Sequence, residues 1–164
     1  MNTTSLIVSD NLDVELIHSD SGVVSTPIGD NFTFVNLVVS NTGNAALDLV
    51  WSYGLAPDGW TVNYANPPSF VEVLSQSNVV LALRPPNQTS ALTSFDLPLY
   101  VNASNNGRYV TTELTIQVQV PTSDYAGIST DESAAPLLFI DRGDSAKQSF
   151  TLVNEGNHIL SLTL

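Results

Sequence analysis

Sixteen carboxylates and two histidines are the residues from which this chain would have to build any chemistry. Asp124, Asp131, Asp141 and Asp144 surround one stretch of sequence, and Asp10, Asp13, Asp20 and Asp30 gather near the start. Carboxylate oxygens in loops suit a hard cation, so calcium is the expected cofactor if there is one. The group from Asp124 to Asp144 is preferred, because a cation there would stiffen a hinge. No ordered Asp-x-Asp-x-Asp-Gly loop is present to fix the ligands. His18 and His158 lie far apart, and no Gly-x-Ser-x-Gly elbow, His-Glu-x-x-His pair, phosphate loop or dinucleotide fingerprint occurs. Asp131-Glu132 and the Asp10/Asp13 pair read as solvated loop acids and not as an acid–base couple. With no cysteine, thiol catalysis, zinc-thiolate sites and disulfides are excluded. The expectation is a protein that is not an enzyme.

Sugar binding needs exposed aromatic rings. Tyr100 and Tyr109 fall on the polar faces of two neighbouring strands and are the candidate carbohydrate contacts, with packing across the hairpin as the alternative. Trp51 with Tyr53, and Trp60 with Tyr64, alternate with aliphatic residues and read as core. Arg142-Gly143-Asp144-Ser145 spells the tripeptide that integrins read, but its residues also suit the turn before the next strand. Asn-x-Ser/Thr sequons stand at Asn2, Asn31, Asn87 and Asn102.

The elements that must position these residues alternate with period two and are broken every eight to fifteen residues by Gly, Pro, Asn and Asp. That is the pattern of an antiparallel all-β domain. Strands are expected at Val14 to His18, Phe32 to Ser40, Ala45 to Tyr53, Trp60 to Tyr64, Phe70 to Leu74, Asn78 to Leu83, Phe95 to Val101 and Arg108 to Val120. In the last of these Val110, Leu114, Ile116, Val118 and Val120 share one face, and Tyr109, Glu113, Gln117 and Gln119 share the other. Asn105-Asn106-Gly107 supplies a hairpin turn. Pro98 lacks an N–H, which predicts an edge strand or a bulge at that point.

Two stretches repeat one another. Asn41-Thr42-Gly43-Asn44 is followed by Leu47, Leu49 and Trp51, and Asn154-Glu155-Gly156-Asn157, 113 residues later, by Leu160, Leu162 and Leu164. In both turns the glycine offers positive φ and the asparagines offer side-chain caps. The spacing is that of one immunoglobulin-sized sandwich. Residues 1–121 are therefore expected to form a complete sandwich of seven or eight strands. Residues 122–164 are expected to hold a linker, from Pro121 to about Pro136, and the truncated start of a second module with strands at Leu137 to Ile140, Gln148 to Val153 and Ile159 to Leu164.

Val38-Val39-Ser40-Asn41-Thr42-Gly43-Asn44, Leu55-Ala56-Pro57-Asp58-Gly59-Trp60-Thr61-Val62 and the strand Val79-Val80-Leu81-Ala82-Leu83 resemble the immunoglobulin-like domains associated with alpha-galactosidases. They are similar also to the cell-adhesion-related, CARDB-type domains of bacteria and archaea. One departure is Leu74-Ser75-Gln76-Ser77, which stands where a glycine-bearing turn is usual. The resemblance implies a seven-stranded sandwich, usually in tandem within secreted or surface-anchored prokaryotic proteins and without catalysis of its own. It thereby implies a stalk, spacer or adhesion unit at the cell surface or outside the cell. Its partners would be neighbouring immunoglobulin-like modules of the same polypeptide, and a cell-surface protein or glycan. The alternative is a carbohydrate-binding or accessory domain of a glycoside hydrolase. A net charge of -12 disfavours nucleic acid. No apolar run is long enough to span a membrane as a helix, and Met1 to Ser5 lacks the layout of a signal peptide.

Overall fold

The computed structural model describes residues 9–20, 22–124, 126–130, 142–143 and 150–161. Among them there are eleven strands and no helix. No helix of the described residues is long and apolar enough to cross a membrane.

Nine strands form two facing sheets. The first sheet has the order β1 (Val14–His18), β3 (Thr33–Asn41), β7 (Gln76–Arg84), β5 (Thr61–Ala65). The second has the order β2 (Val24–Ser25), β9 (Arg108–Gln119), β8 (Ser94–Asn105), β4 (Leu47–Tyr53), β6 (Phe70–Val71). Every pairing is antiparallel except that of β2 with β9. This order is that of an immunoglobulin-like sandwich, in which the first strand is split between the two sheets and its second half runs parallel to the last strand.

Alternation drives the layering. Val14, Leu16, Leu37, Val39, Leu81, Leu83, Leu97, Leu99, Val101, Ile116 and Val118 all point between the sheets and are buried. Intervening residues such as Glu15, Asn36, Asn102, Glu113 and Gln117 face solvent. The hairpin between β8 and β9 turns on Asn106 and Gly107, both at positive φ (48° and 77°), as the right-handed twist of a two-residue loop requires.

Several expectations are corrected. β2 is too short to show a period, and its two residues are placed by the Thr26 N–H to Gln119 carbonyl bond that continues the β9 ladder. Pro98 lies in β8, an interior strand. It is tolerated because β4 ends at Tyr53, opposite Leu99, so the one donor that Pro98 lacks falls just past the end of that pairing. The pairing closes with Gly54 N–H donating to the Pro98 carbonyl at 2.8 Å. A Cβ at Gly54 would sit 2.4 Å from Pro98 Cγ, which explains a glycine there.

Part of the stretch read as linker is a strand. β10 (Ala126–Thr130) pairs antiparallel with β11 (Phe150–Asn154) in a separate two-stranded sheet. Gly127 and Ser129 lack strand propensity, so only the partner strand explains it. Ile159 to Ser161 are not in a strand, contrary to expectation. The expected strand from Leu137 to Ile140 lies outside the described residues.

Candidate functional site

Two loop clusters are built by the same chemistry. Asn41, at the end of β3, is buried and satisfies its whole amide locally: Oδ1 accepts from Gly43 N–H at 3.0 Å, and Nδ2 donates to the carbonyls of Ala45 at 2.8 Å and Glu72 at 3.0 Å. The first bond is an Asx turn, which reverses the chain out of one sheet toward β4 in the other. Asn44 then grips the segment that precedes β1. Its Oδ1 accepts from Asn11 N–H, its Nδ2 donates to the Ser9 carbonyl at 3.2 Å, and its own N–H donates to the Asn11 carbonyl at 3.0 Å.

The same bonds recur after β11. Asn154 Oδ1 accepts from Gly156 N–H at 3.0 Å, and Asn154 Nδ2 donates to the His158 carbonyl at 2.8 Å. Asn157 Oδ1 accepts from Ser123 N–H at 2.8 Å, Asn157 Nδ2 donates to the Pro121 carbonyl at 2.8 Å, and Asn157 N–H donates to the Ser123 carbonyl at 3.2 Å. Strand register repeats too: Val14 opposes Asn41 as Ala126 opposes Asn154. The residues gripped by Asn157 are those leading out of β9, so this second clamp ties the β10–β11 pair to the end of the sandwich.

Glycine serves the turn in a way not expected from the sequence. Neither Gly43 nor Gly156 is among the residues with positive φ. Gly43 is needed because the Asn11 backbone crosses it closely: a Cβ would lie 2.2 Å from the Asn11 carbonyl oxygen and 2.9 Å from Asp13 N. The steric need arises from a neighbouring segment, which a local propensity argument does not see.

Around the second clamp lies a cleft of about 800 Å³ between Asn87–Ala91 and Asn154–Ile159. Ala91 N–H donates to the Asn157 carbonyl at 2.9 Å across it. His158 Nε2 meets Asp124 Oδ1 at 2.6 Å on the adjoining side. Of the four aspartates expected to bind calcium, Asp124 is thus engaged by a histidine, while Asp131, Asp141 and Asp144 lie outside the described residues. Among the described residues no three His, Cys, Asp or Glu side chains gather as a metal site would require. His18 stands on β1, on the other side of the sequence from this cluster.

The candidate sugar contacts are not brought together. Tyr100 opposes Glu113 and is half-buried, whereas Tyr109 opposes Ser104 and is exposed. They share a face of the sheet but are offset by four residues along β9, on the order of 13 Å, too far to pack across the hairpin or form one platform. Trp51 is half-buried against the core, its Nε1 donating to the Pro68 carbonyl at 2.7 Å. Tyr64 packs against it with ring centroids 5.2 Å apart and planes tilted by 55°, and donates its hydroxyl to the Ser52 carbonyl at 3.0 Å. Burial, and secondarily the Tyr53 phenol, push the Tyr64 hydroxyl well above the usual range for tyrosine. Trp60 meets Phe95 edge to face at 4.8 Å, again at the core margin. Tyr53 is exposed, contrary to its reading as core.

No family model matches this chain, and no curated protein matches it. Among solved structures it is similar to the VesB protease of Vibrio cholerae, with 14% identity and a TM-score of 0.39 over 66% of this chain. The chain spans 31% of that protein's length. It is also similar to AggA, the major subunit of aggregative adherence fimbriae type I from Escherichia coli, with 13% identity and a TM-score of 0.33, covering 72% of this chain and 99% of that one. Both scores are low, and the fold assignment rests on the strand order itself.

Proposed function

We propose that this chain is a non-catalytic, immunoglobulin-like part of an exported tandem-repeat protein, serving as a stalk, spacer or adhesion unit at the cell surface or in the secreted medium. The observation that carries the reading is the recurrence, 113 residues after Asn41, of the same local side-chain bonds: an Asx turn at Asn154 and a backbone clamp at Asn157. A duplicated strand register with a duplicated clamp is what a repeat array produces, each unit gripping the segment that leaves the previous one. On this reading the acidic surface, with sixteen acidic against four basic residues, keeps a rod of such units soluble and apart from its neighbours.

The chemistry of the cleft supports the same reading. Its wall sets amides and hydroxyls beside Ala91 and Ile159, with Glu155 and His158 the ionisable members, and the histidine is taken up by Asp124. The decisive experiment is electron microscopy and fractionation of the protein encoded by the complete reading frame. A surface-exposed or secreted beaded rod is expected, with beads of one sandwich each. A compact cytoplasmic particle would overturn the proposal.

A further inference from the structure

The clamp at Asn157 is half of a joint. The sandwich's loop Asn87–Ala91 supplies the other half, with Ala91 N–H donating to the Asn157 carbonyl at 2.9 Å. Asn157 is half-buried in consequence. Its counterpart Asn44 has the same three bonds to the segment before its own first strand, yet it is exposed, and among the described residues no backbone N–H donates to its carbonyl. The two ends of the sandwich are therefore complementary. One end carries a donor loop that is already used, and the other carries a turn whose carbonyl receives no backbone N–H among the described residues.

We propose that the Asn44 turn is a docking surface for the Asn87–Ala91 loop of another sandwich of this same kind, placed ahead of it in a tandem array and held as Asn157 is held. The inference rests on the tandem reading above and adds its partner and contact. The occupant is identified by the repeat: Ser9–Asn11 hold the place of Pro121–Ser123, which follow the last strand of a sandwich, so in the array the unit ahead of Ser9 corresponds to a sandwich ending in that strand. The contact at this end would differ in one respect. Asp124 and His158 have Leu12 and Ala45 as their counterparts, so the ion pair is replaced by apolar neighbours, and Leu12 already packs against the core. Such a joint is head-to-tail and heterologous, so it propagates along a chain without closing.

The test is a tandem protein in which residues 1–122 are joined ahead of residues 11–164, so that Pro121 and Thr122 of the added copy lead into Asn11. Amide exchange is followed by NMR at the two Ala91 positions. The second Ala91 faces Asn157 and is the internal reference. If both are protected, and the first becomes about tenfold less protected when Asn44 of the second copy is changed to Ala, the docking holds. Changing that Asn44 to Asp retains the Oδ1 acceptor for Asn11 N–H and should preserve protection of the first Ala91 better than alanine does. Protection of the second Ala91 alone would overturn the docking while leaving the joint at Asn157 and the tandem reading intact. Rapid exchange at both would overturn the joint itself, and the docking with it.

Discussion

The turn at Asn41 and the turn at Asn154 share an Asx bond and a bond to the carbonyl four residues on, but stand in different surroundings. Behind Asn41 the strand β3 is flanked by β1 and β7 and covered by the second sheet, and Leu37 and Val39 are fully buried. Behind Asn154 the strand β11 has β10 as its partner among the described residues, and Leu152 and Val153 are 40% and 41% exposed. Local side-chain chemistry sets the shape of the turn in both places. The second layer is what converts that shape into stability, because burying apolar side chains stabilises more than the turn's hydrogen bonds do, and a two-stranded ribbon cannot bury them.

The largest expected contrast is in the strands. Leu81→Ala removes a fully buried side chain from the sandwich and should cost about 2–5 kcal/mol, a fall in Tm on the order of 10 °C. Leu152→Ala should change the same melt by less than about 1 kcal/mol, since the side chain is already substantially exposed. Equal effects in calorimetry would show that β11 lies in a core as closed as that of β7.

The turns should differ next. Asn41→Ala strands the buried Ala45 carbonyl and the Gly43 N–H and removes one of the two side-chain bonds to the Glu72 carbonyl, a loss of about 2–3 kcal/mol by denaturant titration. Asn154→Ala, whose bonds are exposed, should cost under about 1 kcal/mol. Gly43→Ala should be at least as harmful as Asn41→Ala, because its Cβ meets backbone and not a movable side chain. A tolerated Gly43→Ala would mean that the Asn11 segment does not pass the turn as described.

The smallest effect is confined to the sandwich. Burial holds the Tyr64 hydroxyl protonated above the pH at which an unfolded tyrosine ionises, about 10. Above that pH the unfolded chain releases a proton that the folded chain retains, so the unfolded state binds fewer protons and stability falls as pH rises. Urea midpoints between about pH 9 and 11 should therefore decline, and Tyr64→Phe should flatten that decline, at the loss of the bond to Ser52. An unchanged slope in Tyr64→Phe would remove this residue as the cause.

The sandwich was legible in the sequence because its signal is local. Alternation in Phe95 to Val101 and Arg108 to Val120 sets which face is buried, and Asn105-Asn106-Gly107 sets the hairpin. The repeat was legible for the same reason. What escaped depended on distant neighbours. β2 exists through a parallel partner nearly a hundred residues away, Pro98 is tolerated because another strand stops opposite it, and Gly43 is fixed by the passage of Asn11. At the junction the turn at Asn157 could be read, but not its grip on Pro121 and Ser123 or the meeting of His158 with Asp124, since pairing across 34 or 36 residues leaves no periodic trace. Tyr100 and Tyr109 were placed on the right face by alternation, and register alone separated them.

The central claim is that one turn chemistry serves a closed sandwich and a strand pair whose Leu152 and Val153 are exposed. Native-state hydrogen exchange on the intact chain tests it most directly. The account predicts that amides of Leu37, Leu81 and Val101 exchange only through global unfolding, while those of Leu152 and Val153 exchange at least about a hundredfold faster, through local opening. Matching protection in β3 and β11 would contradict it.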